Sequence, residues 1–231
     1  MSKLFVFAQR HAELEPQAFW AGWEAELREL AGASGVRRAV INRSIPDAQV
    51  PGLAVSRFEG AIELWFEGAA ALAATAGDRA WRDSLDAAIA RLTAPDGAIV
   101  LAAEESVQFD RGFGTVKFIG LSRRAERFAS QEEWVRYWRD VHGPLAHGLP
   151  DFTRYYGRYV HNYVLPDPLA AGEGECGFDG IVEEWLESVD AFAACLDEPA
   201  YLEHVRPDER HFVDFTRSHM LITTERVIRD G

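Results

Sequence analysis

Residues 58–76 read FEGAIELWFEGAAALAATA and residues 178–196 read FDGIVEEWLESVDAFAACL, with eight of 19 positions identical at a spacing of 178 − 58 = 120. The same spacing carries Arg38 onto Arg158, Asn42 onto Asn162, Leu101 onto Leu221, Glu105 onto Glu225 and Val107 onto Val227. A chain of 231 residues built in this way holds two copies of one supersecondary unit, each of about 115 residues, an ordinary domain size. Two copies are too few for a solenoid, which buries a continuous core only from three units upward. The expected division is 1–110 for a degenerate first copy and 111–231 for the second, joined through 108–115 (QFDRGFGT). Where the copies agree, scaffold is expected; where they differ, function.

The second copy gives the order of elements more clearly. Val116 to Leu121 is a short apolar run bounded by glycine, which suits a strand. Ser130 and Glu133 form a capping box. Trp134, Tyr137, Trp138 and Val141 follow at i, i+3, i+4, i+7, one face of an amphipathic helix that Gly143-Pro144 is expected to bend or stop. Tyr155 to Val164 and Ile181 to Leu186 read as strands flanking a Gly/Pro-rich loop at 166–177. A helix from about Ser188, broken near Pro199 and resumed after Pro207, leads to a last strand at Met220 to Ile228. The order is β-α-β-β-α-β, the ferredoxin-like unit, and the first copy fits it too. The fold class expected is therefore α+β: two ferredoxin-like repeats whose antiparallel sheets pack as an α+β barrel within one chain.

Hydrophobic content of 48%, with seven Trp and 14 Phe, is ample for a packed interior. A net charge of −13 argues against nucleic acid or an anionic membrane surface as partner. No stretch reaches the ~20 apolar residues of a membrane span, and the start of the chain lacks a signal-peptide core. Cys176 and Cys195 form no CxxC pattern, so a reduced cytoplasmic location is expected. No HExxH or Cys/His spacing implies a metal site.

The copies part company after the first helix. Fifteen positions separate Trp23 from Arg38, but 20 separate Trp138 from Arg158, and the five extra residues fall where His142-Gly-Pro-Leu145 and His147 lie. On the following strand, Ala39 and Ile41 become Tyr159 and His161, while Arg38 and Asn42 persist as Arg158 and Asn162. Strict alternation puts Tyr155, Tyr159, His161 and Tyr163 on one face and Tyr156, Arg158, Val160 and Asn162 on the other. The face peculiar to the second copy is expected to line a cavity between the two sheets.

Three segments, WRDVHGPL (138–145), RYVHNYV (158–164) and GFDGIVEEW (177–185), resemble the EthD family of the dimeric α+β barrel superfamily. The stretch DERHFVD (208–214) through ERVI (225–228) extends the likeness, which covers nearly all of 113–231. The first copy resembles the family more weakly, keeping FEGAIELWF and lacking HGPL. The family is named for an accessory protein of ether degradation, and neighbouring barrel families include isomerases, cyclases, dehydratases, decarboxylases, quinone-forming monooxygenases and haem-binding peroxidase-like proteins. A shared fold does not choose among them.

His161, near neutral pKa by type, is the expected general base, with Tyr159 or His142 polarising a substrate oxygen; satisfied polar interior is the competing reading. His142, near an expected helix C-terminus, would favour the imidazolium, or simply cap the helix. Tyr155, Tyr163 and His147 complete a substrate-binding set, His147 competing with a surface role. The first functional reading is a cofactor-independent acid–base enzyme of the isomerase, dehydratase, cyclase or decarboxylase type, acting on a small apolar or aromatic carbonyl or phenolic compound. The alternatives are an oxidative protein, either a quinone-forming monooxygenase or one using haem with His142 or His161 as axial ligand, and a non-catalytic ligand-binding accessory protein of a degradation pathway. The partner expected is a small molecule, with the chain a monomer or homodimer.

Overall fold

The computed structural model describes residues 1–33, 35–46, 48, 56–165 and 177–231; most of the loop expected at 166–177 lies outside the described residues. Eight strands run in chain order: β1 (Ser2–Arg10), β2 (Val36–Ser44), β3 (Gly60–Phe66), β4 (Thr93–Asp110), β5 (Val116–Ser122), β6 (Tyr156–Val164), β7 (Gly180–Leu186) and β8 (His219–Asp230). Helices α1 (Pro16–Leu30), α2 (Ala69–Gly77) and α3 (Arg79–Leu92) belong to the first half. The second half has α4 (Gln131–Tyr137), α5 (Gly143–His147), α6 (Pro150–Thr153), α7 (Val189–Leu196) and α8 (Arg206–Phe212), with π-helical turns at Trp138–His142 and Tyr201–Val205. No described helix is long and apolar enough to cross a membrane.

The strands close into one antiparallel barrel in the order β1-β3-β2-β8-β5-β7-β6-β4. The two halves are stitched by β2 against β8 and β4 against β6, with Asn42 opposite Glu225 and Asn162 opposite Glu105. Closure removes every free sheet edge. It also gives each strand two distinct environments, the barrel interior and the outer face under the helices.

The residues shared between the halves line the interior. Phe5, Phe7, Ala61, Leu101, Ile119, Leu121, Ile181 and Leu221 pack there, beside a ring of buried charge. Lys3 and Lys117 each pair with both Glu63 and Glu183, and reach Glu105 (3.1 Å) and Glu225 (3.2 Å) respectively. Asn42 and Asn162 donate to Glu63 (2.6 Å) and Glu183 (2.8 Å). Each ammonium also sits 4.5 Å from the ring centroid of an interior tryptophan, Trp65 or Trp185, a favourable cation–π distance. Lys117 is raised above its usual range: burial opposes its charge, but Glu183 and Glu63 outweigh it.

The outer face of the first half is solid hydrocarbon. Leu4, Val6, Ala39, Ile41, Ile62, Leu64 and Phe66 meet Phe19, Trp23 and Leu27 of α1 and Leu85, Ala88 and Leu92 of α3. The outer face of the second half is not, and the site lies there.

Candidate active site

The helix expected to bend or stop at Gly143-Pro144 does not stop there. Ser130 caps it through a bond from the Glu133 N–H (3.2 Å), and the chain passes through the π-helical turn Trp138–His142 directly into α5. The wider turn absorbs the proline, whose missing N–H and ring would clash with a regular α-helical i−4 carbonyl. His142 therefore sits inside a continued helical segment, not at a C-terminus, and the dipole argument for its charge does not apply. It is buried, and its Nδ1 lies 2.8 Å from Asp208 Oδ2 of α8. Tyr137 donates to the other oxygen of the same carboxylate. Burial alone would raise the Asp208 pKa, yet the bonds from His142 and Tyr137 hold it below its ordinary value. Burial and the Asp208 bond push Tyr137 up to about 12.

His142 lines a cavity of about 70 Å³ between the outer face of the sheet and α7, α8 and the Trp138–His142 turn. That is under half of the ~150 Å³ void that accepts one benzene ring, so a ring-sized ligand enters only as the walls move apart. Phe118, Tyr159, Phe192, Tyr201 and Phe212 form an aromatic wall. Two carboxyls, the buried Glu184 of β7 and the partly exposed Glu209 of α8, face the same space. Glu209 accepts from Tyr201 (2.8 Å) and Arg206 (3.1 Å); burial nonetheless keeps its pKa raised. Burial, then the Glu209 charge, pushes Glu184 up to about 8.

The face reading of β6 needs two corrections. Tyr159 and His161 stand opposite Glu184 and Val182, on the side covered by helices, so the expected cavity between the sheets is not what they line. His161 is fully buried, stacked on Trp138 at 4.2 Å between ring centroids, and it does not reach the pocket. Burial, then His142 and His147, lowers its pKa well below the usual histidine range. The second correction concerns a bulge. The β6–β7 register shifts between Tyr156 and Arg158, which turns Tyr156, and not Tyr155, onto the Tyr159 face with ring centroids 5.9 Å apart. A Cβ on Gly157 would lie 1.8 Å from the Phe113 carbonyl oxygen, so only glycine permits the bulge. Tyr155 instead bonds Glu198 (3.1 Å) away from the pocket. Tyr163 lies 3.5 Å from His161 Nδ1, and His147 packs edge-on against Tyr159 with its Nε2 unpartnered among the described residues. Of the six residues expected at the site, His142 and Tyr159 line the pocket.

Residues 128–216 match the EthD domain family. The matched residues include the Trp138–His142 turn, β6 and β7, and all of α7 and α8. No curated protein matches the chain by sequence. Among solved structures, a provisionally assigned monooxygenase of Fusobacterium nucleatum superposes with TM-score 0.57 at 8% identity, over 99% of this chain and 93% of that one. A second provisionally assigned monooxygenase, from Lactobacillus acidophilus, gives TM-score 0.53 at 10% identity, over 100% and 97%. A variant of the chlorite dismutase of Candidatus Nitrospira defluvii gives TM-score 0.53 at 11% identity, over 98% and 92%. At such identities the likeness is one of fold, the α+β barrel.

The matched segment meets one requirement for haem and fails another. An imidazole whose Nδ1 is held by a carboxylate is the disposition an axial ligand takes, and His142 has it. The space is the obstacle: a cavity of about 70 Å³ walled by Phe118, Phe192 and Phe212 is far too small for a porphyrin. The residues as arranged do not fit the group. Among the described residues no cluster of three or more metal-ligating side chains occurs.

Glu184, Glu209, Asp208 and Tyr156 were not anticipated. For Glu184 a signal existed: at the 120-residue spacing it stands where the first half has Leu64, which is core. Asp208 and Glu209 carried none, because their approach to His142 and Glu184 is made by the return of α8 across the sheet.

Proposed function

We propose that the pocket of the EthD-matching segment is the active site of a cofactor-independent oxidoreductase of the quinone-forming monooxygenase kind, acting on a single-ring phenol. The observation that carries this reading is the His142–Asp208 pair on the wall of an aromatic-lined cavity. Asp208 accepts the Nδ1 proton, which leaves Nε2 as the basic atom toward the cavity, and a positioned imidazole base is what a phenol needs to become an electron-rich phenolate. Molecular oxygen then oxidises the ring. One oxygen atom enters at a ring carbon, the other leaves as water, and the ring supplies all four electrons, so that phenol and O₂ give benzoquinone and water with no external reductant. The aromatic walls exclude bulk water and strengthen the interaction between base and bound oxygen.

The fold likeness to proteins assigned as monooxygenases and to a chlorite dismutase supports the oxidative alternative over the isomerase, dehydratase, cyclase and decarboxylase readings. The position of His161 bears on the same choice: the base those readings relied on is packed behind Trp138.

Oxygen uptake and quinone absorbance are to be measured with a panel of substituted phenols and hydroquinones. His142→Ala lowers turnover by ~10²–10⁴, the usual contribution of a positioned base, and Asp208→Asn by at least tenfold, with circular dichroism unchanged in both. Turnover at the wild-type rate in His142→Ala removes the reading. A Soret band in the purified protein, or on titration with hemin, transfers it to haem.

A further inference from the structure

The proposed base accounts for His142 and Asp208 but leaves the most unusual side chain of the pocket unused. Glu184 projects from the middle of β7 into a wall otherwise made of Phe118, Val182, Tyr159 and Phe192. No lysine, arginine or histidine forms an ion pair with it among the described residues. Arg206, the cation of the pocket, is engaged by Glu209 and Tyr201. Behind Glu184, the Cys195 thiol donates to the Tyr156 oxygen (3.1 Å), and no side chain among the described residues is hydrogen-bonded to the Glu184 carboxyl within normal distance. The hydrogen-bonding capacity of the Glu184 carboxyl thus turns to the cavity it lines.

We propose that Glu184 is a second catalytic group of this pocket, a carboxylic acid that hydrogen-bonds the substrate oxygen when His142 removes its proton. The assignment rests on the reading of the pocket as a phenol site. A neutral acid in a dry aromatic wall is a strong donor to a developing oxyanion, whereas an ionised one would repel it. Burial and the neighbouring Glu209 charge favour the neutral form, with the Glu184 pKa pushed up to about 8. The groups facing Glu184 are Tyr156 and Tyr159 from β6, Cys195 from α7, Arg206 and Glu209 from α8, Tyr201 from the turn before it, and His142. Burial raises Tyr156, Tyr159, Cys195 and Tyr201 well above their ordinary values, so they stay neutral through the same range.

The test uses 4-nitrophenol, whose colour distinguishes phenol from phenolate, bound to the full-length protein. Wild type and Glu184→Gln bind it as phenolate at pH 7, and Glu184→Ala binds at least tenfold more weakly. On raising the pH to 9, wild type loses affinity at least tenfold, because the acid has become an anion. Glu184→Gln, which keeps a donor and cannot ionise, loses at least tenfold less than wild type, its remaining loss being the proton that 4-nitrophenol has already released to solvent at pH 9. If Glu184→Gln loses affinity in parallel with wild type, another group titrates and the role of Glu184 is refuted while the phenol site stands. If wild type fails to bind the probe at either pH, the phenol site itself fails, and the assignment of Glu184 with it.

Discussion

At the scale of single residues, the exchange of Leu64 for Glu184 at equivalent positions shows how little sequence separates a core from a pocket. Both side chains point outward from the third strand of their half under the covering helices. A leucine there completes a hydrocarbon layer; a glutamate holds a proton in it. The energetic consequence has a definite sign. The folded-state pKa of Glu184 is pushed up to about 8 from an ordinary 4.5, so between those values the folded chain keeps a proton that the unfolded chain has released. Stability therefore falls as pH rises across that window, at ~1.4 kcal/mol per unit of pKa difference. Glu209 and Glu63, also raised, act in the same direction. Asp208 and Glu225, which are lowered, lose their contribution only on acidification below the carboxylate range. Urea unfolding at pH 5 and pH 8 is expected to show a stability loss in wild type that is several kcal/mol smaller in Glu184→Gln. Equal losses in the two proteins would place the proton elsewhere.

At the scale of elements, the order of strands and helices was legible along the chain, but the irregularities that aim the site were not. The helix beginning at Ser130 was legible from its capping box and its Trp134/Trp138 spacing. Its continuation through Gly143-Pro144 was not, because a π-helical turn leaves no periodic signature and proline alone argues for a stop. That turn is what puts His142 against Asp208. The bulge at Gly157 is similar: one residue out of step exchanges Tyr155 for Tyr156 at the pocket, and period-two reasoning has no means of placing it. Close packing depends on another glycine. A Cβ on Gly180 would come within 2.3 Å of Trp138 and 2.9 Å of Trp134. Gly180→Ala is expected to displace both indoles and destabilise the protein by about 1–3 kcal/mol, the usual cost of overpacking, with a shift in tryptophan emission. Unchanged stability and emission would mean that the helix is held by other contacts.

At the scale of the whole molecule, the pattern that spans both halves is the ring of Lys3, Lys117, Glu63 and Glu183 within the barrel. Each lysine pairs with a carboxylate from its own half and one from the other, so the ring resists separation of the halves. Such a ring is costly to assemble, and breaking it by removing one charge leaves a buried carboxylate uncompensated. Lys117→Met is expected to lower unfolding free energy by about 3–5 kcal/mol, measured by urea denaturation at pH 7. A loss under about 1 kcal/mol would mean that the ring is neutralised in some other way. The pocket lies outside the barrel, separated from the ring by the sheet itself, so a Lys117→Met protein that still folds should retain its 4-nitrophenol site.

The 120-residue spacing by itself determined which residues are shared between the halves, and with them the split between a common face and a divergent one. Alternation along a strand is local geometry, and it survives without knowledge of the partner strands. What it leaves open is which face looks inward, because that depends on how the sheets close. Only the tertiary structure decided that the shared polar residues fill the barrel and that the divergent face meets the helices. The return of α8, which brings Asp208 to His142 and Glu209 to the space before Glu184, is likewise a contact between segments more than 20 residues apart. Residues that meet only through the packing of distant elements leave no pattern along a single chain.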